Sequence, residues 1–186
     1  MEKKLPLYQL IIDGEELEVN KTSFVANPAY MRSFMAFNKA QKFATNDELR
    51  IVTGAMLVPD LPIYRRDETG EYYVAIDKEN IKKAAFNYVK KGFANSVNLE
   101  HTTDVEGVYM VESFLIDEKR GIQNPLGFEE PDGTWFASFK VDNDEVWAKV
   151  KSGEFTGFSI EGLFDMKPLV NAEEAQLQKI IEILNS

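Results

Sequence analysis

Apolar and polar residues alternate along much of the first eighty residues, which is the pattern of half-buried β-strands. Five segments have the length and composition of strands: residues 5–12, 16–25, 50–58, 61–66 and 71–76. Asp13 and Gly14 lie between the first two, and this dipeptide is typical of a β-hairpin turn. Residues 31–48 have no clear period, so we expect an irregular connection there.

A helical period follows directly after these strands. Asp77 can act as the N-cap, and Gly92 is placed to end the helix. The apolar residues fall at helical spacing on one face: Ile81, Ala84, Ala85, Tyr88 and Val89. The sequence therefore predicts an amphipathic helix between Asp77 and Gly92.

Beyond Gly92 the period returns to two. The segments with this alternation are residues 96–101, 107–117, 134–141 and 154–164. A short helix capped by Asn143 and ended by Gly153 precedes the last of them. We expect residues 1–170 to form a single domain and residues 171–186 a C-terminal helix that is docked or binds a partner. Many strands with few helices indicate an α+β domain built on an antiparallel sheet or barrel.

Composition and charge exclude several classes of function. The formal net charge of −10 disfavours a nucleic-acid-binding surface. The chain has no cysteine, which excludes disulfides, thiolate nucleophiles and zinc–cysteine sites. No stretch approaches the roughly 18 apolar residues of a membrane span, and the first residues lack the features of a signal peptide. We expect an intracellular protein that does not bind membranes.

His101 is the only histidine, so any imidazole chemistry must use it. On an alternating strand it would share a face with Val97 and Leu99, as an ordinary half-buried histidine often does. One imidazole makes a poor transition-metal site, and we expect no cofactor. A metal-dependent hydrolase that uses His101 with Asp104 and Glu100 is the weaker alternative.

Ser159 lies in the segment GFSIEG, whose second glycine comes one position too late for the G-x-S-x-G nucleophile elbow. Serine beside glycine in a strand is often only a packing residue. However, Ser159 and Glu161 would point to the same face of the strand, opposite Phe158 and Ile160. A polar pair of this kind suggests that the face lines a groove.

A serine nucleophile needs a base, and the base needs a group that fixes its tautomer. Glu161 is one candidate for that group, about 6.5–7 Å along the strand from Ser159. Glu112 is the other: on its alternating strand it would share an apolar row with Met110 and Phe114, and a buried acid there needs a partner. The residues alone leave both acids open.

Two long segments carry a resemblance to a known family. VNLEHTTDVEGVYMVESFLID and GTWFASFKVDNDEVWAKVKSGEFTGFSIEG resemble the phage prohead maturation proteases, in particular those of the XkdF type. The upstream segment VTGAMLVPDLPIYRRDETGEYYVAIDKENIKKAA is similar to the same family, so the likeness covers roughly residues 20 to 165. VNLEH followed by VEGV also resembles the histidine region of the herpesvirus assemblins.

The resemblance implies a serine endopeptidase with an assemblin-like antiparallel β-barrel flanked by a few helices. It implies His101 as general base and Ser159 as nucleophile. Assemblins use a second histidine as the third member, and this chain has none. Glu161 or Glu112 would have to serve instead, or the site would work as a dyad.

The resemblance also implies where such an enzyme acts. Prohead proteases cleave phage scaffolding protein, the major capsid protein, or themselves, inside the procapsid in the host cytoplasm. A homodimer is compatible with this role. The alternative from another class is a catalytically silent module that binds scaffold or capsid.

Overall fold

The computed structural model describes residues 5–13, 17–26, 43–68 and 70–169. Within these residues the chain forms two α-helices, α1 (Lys78–Lys90) and α2 (Asp144–Ser152), with 3-10 turns at Phe93–Asn95 and Glu118–Arg120. The strands are β1 Leu7–Ile11, β2 Glu18–Val25, β3 Ala44–Asn46, β4 Ile51–Leu57, β5 Ile63–Asp67, β6 Gly70–Ile76, β7 Val97–Leu99, β8 Thr103–Asp104, β9 Val108–Leu115, β10 Trp135–Val141, β11 Gly157–Leu163 and β12 Asp165–Pro168.

The strands pair into three four-stranded sheets. Sheet A has the order β12-β1-β6-β5, sheet B the order β11-β2-β7-β8, and sheet C the order β3-β4-β10-β9. Sheet C is antiparallel throughout, whereas β1 pairs with β6 and β2 with β7 in parallel. The α+β prediction is confirmed, but in the described part of the chain no sheet closes into a barrel.

Two predictions for the N-terminal region are wrong. β1 and β2 do not form a hairpin across Asp13, because β1 pairs with strands of sheet A and β2 with strands of sheet B. The segment 31–48 is not irregular throughout, since Ala44–Asn46 forms the edge strand β3. The C-terminal helix predicted over residues 171–186 lies outside the described residues.

Both helices begin directly after the residues that were predicted as N-caps, Asp77 and Asn143. The Asp77 carboxylate accepts a hydrogen bond from the Asn80 backbone N–H, and the Asn143 side chain accepts from Glu145 and Val146. Such caps satisfy backbone donors that the first turn leaves free. One residue of the predicted apolar stripe is misplaced: the Val89 side chain is exposed.

The hydrophobic core lies against one face of sheet B. Phe24 in β2 and Phe158 in β11 are fully buried and pack edge to face, with ring centroids 5.1 Å apart. Phe139 in sheet C contacts both rings. On the same side, Tyr88 of α1 shares a hydrogen bond of 3.1 Å with Thr22 of β2, and burial raises the pKa of Tyr88 to about 12. This packing fixes β2 and β11, and it leaves Ser23 and Ser159 on the opposite face of sheet B.

Candidate active site

The polar face of sheet B carries a row of three side chains on adjacent strands. Ser159 of β11 lies opposite Ser23 of β2, and Ser23 lies opposite Asn98 of β7. All three are buried, with 7% of Ser159, none of Ser23 and 4% of Asn98 exposed to solvent. Residues opposite each other in a sheet lie on one face with close Cβ atoms, so the pairing itself brings these groups together.

Glu161 extends this row along β11. Because side chains alternate on a strand, it points to the same face as Ser159, as predicted. Its partner in β2 is Lys21, whose ammonium forms an ion pair with Asp104 of β8. The register between β11 and β2 shifts just after Glu161, so the face that carries Ser159 and Glu161 ends there.

The second glycine of GFSIEG has a structural explanation at this shift. A Cβ atom on Gly162 would lie 2.1 Å from the carbonyl oxygen of Glu18 and 2.8 Å from the Cα of Val19. No real side chain tolerates such distances, so only glycine lets β2 approach β11 this closely. Gly162 therefore serves the strand pairing, and no nucleophile elbow is formed.

His101 reaches the site from a turn. β7 ends at Leu99, and both Glu100 and His101 adopt left-handed backbone conformations, with φ angles of 51° and 59°. The prediction that His101 continues the alternation of Val97 and Leu99 is therefore wrong. The turn reverses the chain and brings the imidazole onto the face of Asn98.

Three side chains converge on one carboxylate oxygen, Oε1 of Glu161. Glu161 Oε1 lies 2.5 Å from Asn98 Nδ2, 3.0 Å from Ser23 Oγ and 3.0 Å from His101 Nδ1. Ser23 Oγ is also 2.9 Å from His101 Nδ1 and hydrogen-bonded to Asn98 Oδ1. The Glu161 and His101 side chains remain 35% and 41% exposed, so the cluster is accessible to solvent on one side.

This arrangement fixes the protonation of the pair. Burial raises the pKa of Glu161, but hydrogen bonds from Asn98, His101 and Ser23 outweigh it and hold that pKa below its ordinary value. An ionised carboxylate can only accept, so His101 Nδ1 must carry the proton that joins them. In the neutral imidazole, Nε2 then has a free lone pair and can act as a base.

Ser159 stands next to this network without joining it. Among the described residues, no hydrogen bond links the Ser159 hydroxyl to His101 or Glu161. The serine that contacts the imidazole is Ser23, which was not among the predicted site residues. The structure thus brings His101 and Glu161 together and puts Ser159 on the same face.

The other candidate acids lie elsewhere. Glu112 is exposed on β9 in sheet C, opposite Ser138 of β10. A register shift at Val111 puts it on the other face from Met110, so the predicted row with Met110 is not formed. In sheet B, the Glu100 carboxylate accepts a hydrogen bond from the Ala26 N–H.

Ser23 and Asn98 are the two members of the cluster that sequence reasoning missed. Ser23 lies in a strand without a clean alternation, because its own face also carries Val25 and the opposite face carries both Thr22 and Phe24, so neither its orientation nor its partners could be predicted. β2 and β7 are more than seventy residues apart in the chain and pair in parallel, which no local signal predicts. The alternation in SVNLEH indicates that Asn98 lies on a polar face. His101 was expected on the opposite face, with Val97 and Leu99, so the two side chains were not expected to meet.

The described residues offer little to a metal ion. Within them, no group of three or more histidine, aspartate or glutamate side chains is arranged as a metal site. Asp104 forms an ion pair with Lys21, and the Glu100 carboxylate accepts a hydrogen bond from the Ala26 N–H, so both acids have partners other than His101. In the same part of the chain, no helix has the length and apolar character to cross a membrane.

Comparison with known proteins identifies the family. A family model described as "Putative phage serine protease XkdF" matches residues 39–167, which is more than half of the chain. The chain belongs to this family. The matched XkdF region contains His101, Glu161 and Ser159, whereas Ser23 precedes it. The predicted resemblance to XkdF-type phage proteins is confirmed.

A curated relative agrees with this assignment. The chain is 27% identical over 145 residues to the "Phage-like element PBSX protein XkdF" of Bacillus subtilis (strain 168). The alignment covers 75% of this chain and 44% of that protein, so the chain spans less than half of the relative's length. No solved structure matches the chain.

Proposed function

We propose that this XkdF-family chain is a serine endopeptidase in which Ser159 is the nucleophile, His101 the general base and Glu161 the carboxylate that orients the base. The observation that carries the proposal is the 3.0 Å contact between Glu161 Oε1 and His101 Nδ1, on the sheet face that also holds Ser159. The family description supports the same class of activity.

Glu161 is preferred to Glu112 as the orienting acid on geometry. In a serine–histidine–acid site, the acid binds Nδ1 and the hydroxyl faces Nε2. Glu161 meets the first condition directly, while Glu112 lies on another sheet. No dyad is needed, because an ionised carboxylate is already on the imidazole.

Ser159 is preferred to Ser23 because of the nitrogen that each can reach. Ser23 Oγ and Glu161 Oε1 approach the same atom, His101 Nδ1. A hydroxyl on that side faces the nitrogen that the acid already binds, so it cannot deliver its proton to Nε2. Ser159 makes no such contact and is left as the hydroxyl for the other side of the ring.

The reaction would follow from these positions. His101 Nε2 removes the Ser159 proton as Oγ attacks the peptide carbonyl, and Glu161 stabilises the imidazolium that forms. The same proton is then given to the leaving amine, and water repeats the sequence on the acyl-enzyme. Substrate binding must bring Nε2 within about 3 Å of Oγ, since catalytic hydrogen bonds are often long without substrate.

The proposed biological role is the one that the resemblance to the prohead maturation proteases implies. The proposed substrates are phage scaffolding protein, the major capsid protein, or the chain itself, cleaved inside the procapsid in the host cytoplasm. An assemblin-like ancestry is part of the same proposal, as is a homodimer. The three sheets and two helices are compatible with an assemblin-like ancestry, although the sheets do not close into a barrel in the described residues.

One observation favours a second candidate function. The missing hydrogen bond between Ser159 and His101 among the described residues would suit a catalytically silent module that binds scaffold or capsid. Such a module would keep the polar cluster for stability. It would not react at Ser159.

A phosphonofluoridate probe separates these candidates without knowledge of the natural substrate. An activated serine Oγ attacks phosphorus, fluoride leaves, and the hydroxyl proton passes to His101. We expect one adduct by intact mass, mapped to Ser159, in the wild type and in Ser23→Ala, and none in Ser159→Ala. An adduct on Ser23, or no adduct on the folded wild type, would contradict the assignment of the nucleophile.

A further inference from the structure

We propose that Ser23 and Asn98 are positioning residues that hold the Glu161 carboxylate against His101 Nδ1 and so keep Nε2 free as the base. This inference rests on the proposed function and adds two residues to its site. Neither residue touches Ser159 through a hydrogen bond among the described groups, so both act through Glu161 and His101.

The hydrogen-bond donors and acceptors of Ser23 and Asn98 give each residue a defined role. Asn98 Nδ2 donates to Glu161 Oε1 at 2.5 Å, and its own Oδ1 accepts from Ser23. Ser23 has one hydroxyl proton and two acceptors, Asn98 Oδ1 and Glu161 Oε1, within reach. It has no proton left for the imidazole, so its contact with His101 Nδ1 requires the proton to sit on that nitrogen.

The Ser23 and Asn98 side chains also lie on the same face of sheet B, and both are rigidly held. Ser23 is on the central strand β2, hydrogen-bonded to β11 on one side and β7 on the other. Its exposure and that of Asn98 are 0% and 4%, whereas Glu161 and His101 are partly exposed. A carboxylate and an imidazole at the solvent boundary have rotamer freedom, and the buried pair behind them removes it.

Without this pair, the tautomer would no longer be enforced. A free imidazole favours the proton on Nε2, the form that cannot accept the proton of Ser159. Removing the Ser23 hydroxyl or the Asn98 donor frees Glu161 to leave Nδ1. The predicted consequence is a mixture of His101 tautomers and a slower reaction at Ser159.

The experiment uses the fact that His101 is the only histidine. Ring-15N histidine gives one imidazole in the NMR spectrum, and its two nitrogens report the tautomer directly. The variants are Ser23→Ala and Asn98→Asp; the second keeps the size and the acceptor for Ser23 but replaces the donor to Glu161. Ser138→Ala is the control, because Ser138 is also a fully buried strand hydroxyl, bonded to Thr53 in sheet C.

In the wild type and in Ser138→Ala, we expect the neutral imidazole to carry its proton on Nδ1. In Ser23→Ala and Asn98→Asp, the Nε2–H form should become substantial, and phosphonofluoridate labelling should slow by on the order of 10²-fold. Folded variants that both keep the wild-type tautomer would overturn the inference.

The two readouts separate this inference from the proposed function. If the wild type is not labelled at Ser159, the protease assignment fails, while the tautomer still decides the role of Ser23 and Asn98. If the wild type is labelled and both variants react at its rate with its tautomer, only the positioning role fails.

Discussion

At the scale of single residues, Glu161 is the group on which the proposed chemistry depends most. It is partly buried, yet three donors keep its pKa below the ordinary value. It therefore stays ionised through neutral and mildly acidic pH, where it can hold the proton of His101 on Nδ1. Hydrogen bonds to a charged acceptor are stronger than neutral ones, so the carboxylate, not merely the shape of the side chain, is what the site requires.

Glu161→Gln tests that requirement. Glutamine preserves the shape, but its amide cannot stabilise an imidazolium and can force the wrong tautomer. We expect phosphonofluoridate labelling of Ser159 to fall on the order of 10²–10⁴-fold, with folding intact. The labelling rate is measured by intact mass against time.

Glu112→Gln is the matched control, because it makes the same substitution at the other acid considered from sequence. Its exposed position in sheet C predicts a wild-type labelling rate. A large loss from Glu112→Gln with none from Glu161→Gln would reverse the assignment of the acid.

At the scale of elements, the close approach of β2 and β11 sets the geometry of the cluster. It places Ser23 beside Ser159 and lets Glu161 reach Asn98 across β2. Gly162 allows this approach at the register shift, where Glu18 and Val19 come nearest. A side chain at this position would push the two strands apart where the face that carries Ser159 and Glu161 ends.

Gly162→Ala should therefore destabilise the fold by steric overlap, at about 3 kcal/mol, the upper end of ordinary overpacking. Gly121→Ala is the comparison: its φ of +76° strains alanine, but an added Cβ meets nothing within 4 Å. That strain alone costs about 1–2 kcal/mol. Urea unfolding measures both, and a loss for Gly162→Ala no larger than for Gly121→Ala would contradict the steric account.

The sequence predicted which segments form helices and strands far better than it predicted which strands pair. The caps Asp77 and Asn143 and the stripe through Tyr88 act within a few residues, so α1 and α2 were readable. Strand pairing depends on distant residues, and the expected hairpin between β1 and β2 failed for that reason.

The residues of the site also differ in whether local sequence could predict their positions. Ser159 and Glu161 are two residues apart on one strand, so their common face could be predicted. The left-handed conformation of Glu100 and His101 could not, because non-glycine residues adopt it rarely and neither carries a signal for it. Ser23 and Asn98 enter the cluster only through the parallel pairing of β2 and β7.

At the scale of the whole molecule, sheet B separates an aromatic core, which also contacts sheet C through Phe139, from a polar face. Phe24 and Phe158 hold β2 and β11 from behind, and the cluster around Glu161 lies in front.

The proposed cleavage of phage proteins through Ser159 is tested most directly by co-expression with the scaffolding and major capsid proteins of the same phage or prophage. Wild type, Ser159→Ala and Ser23→Ala are compared by intact mass of every protein present. We predict fragments with the wild type, fewer with Ser23→Ala, and none with Ser159→Ala. The same fragments from Ser159→Ala, or no fragments from the folded wild type, would contradict the account.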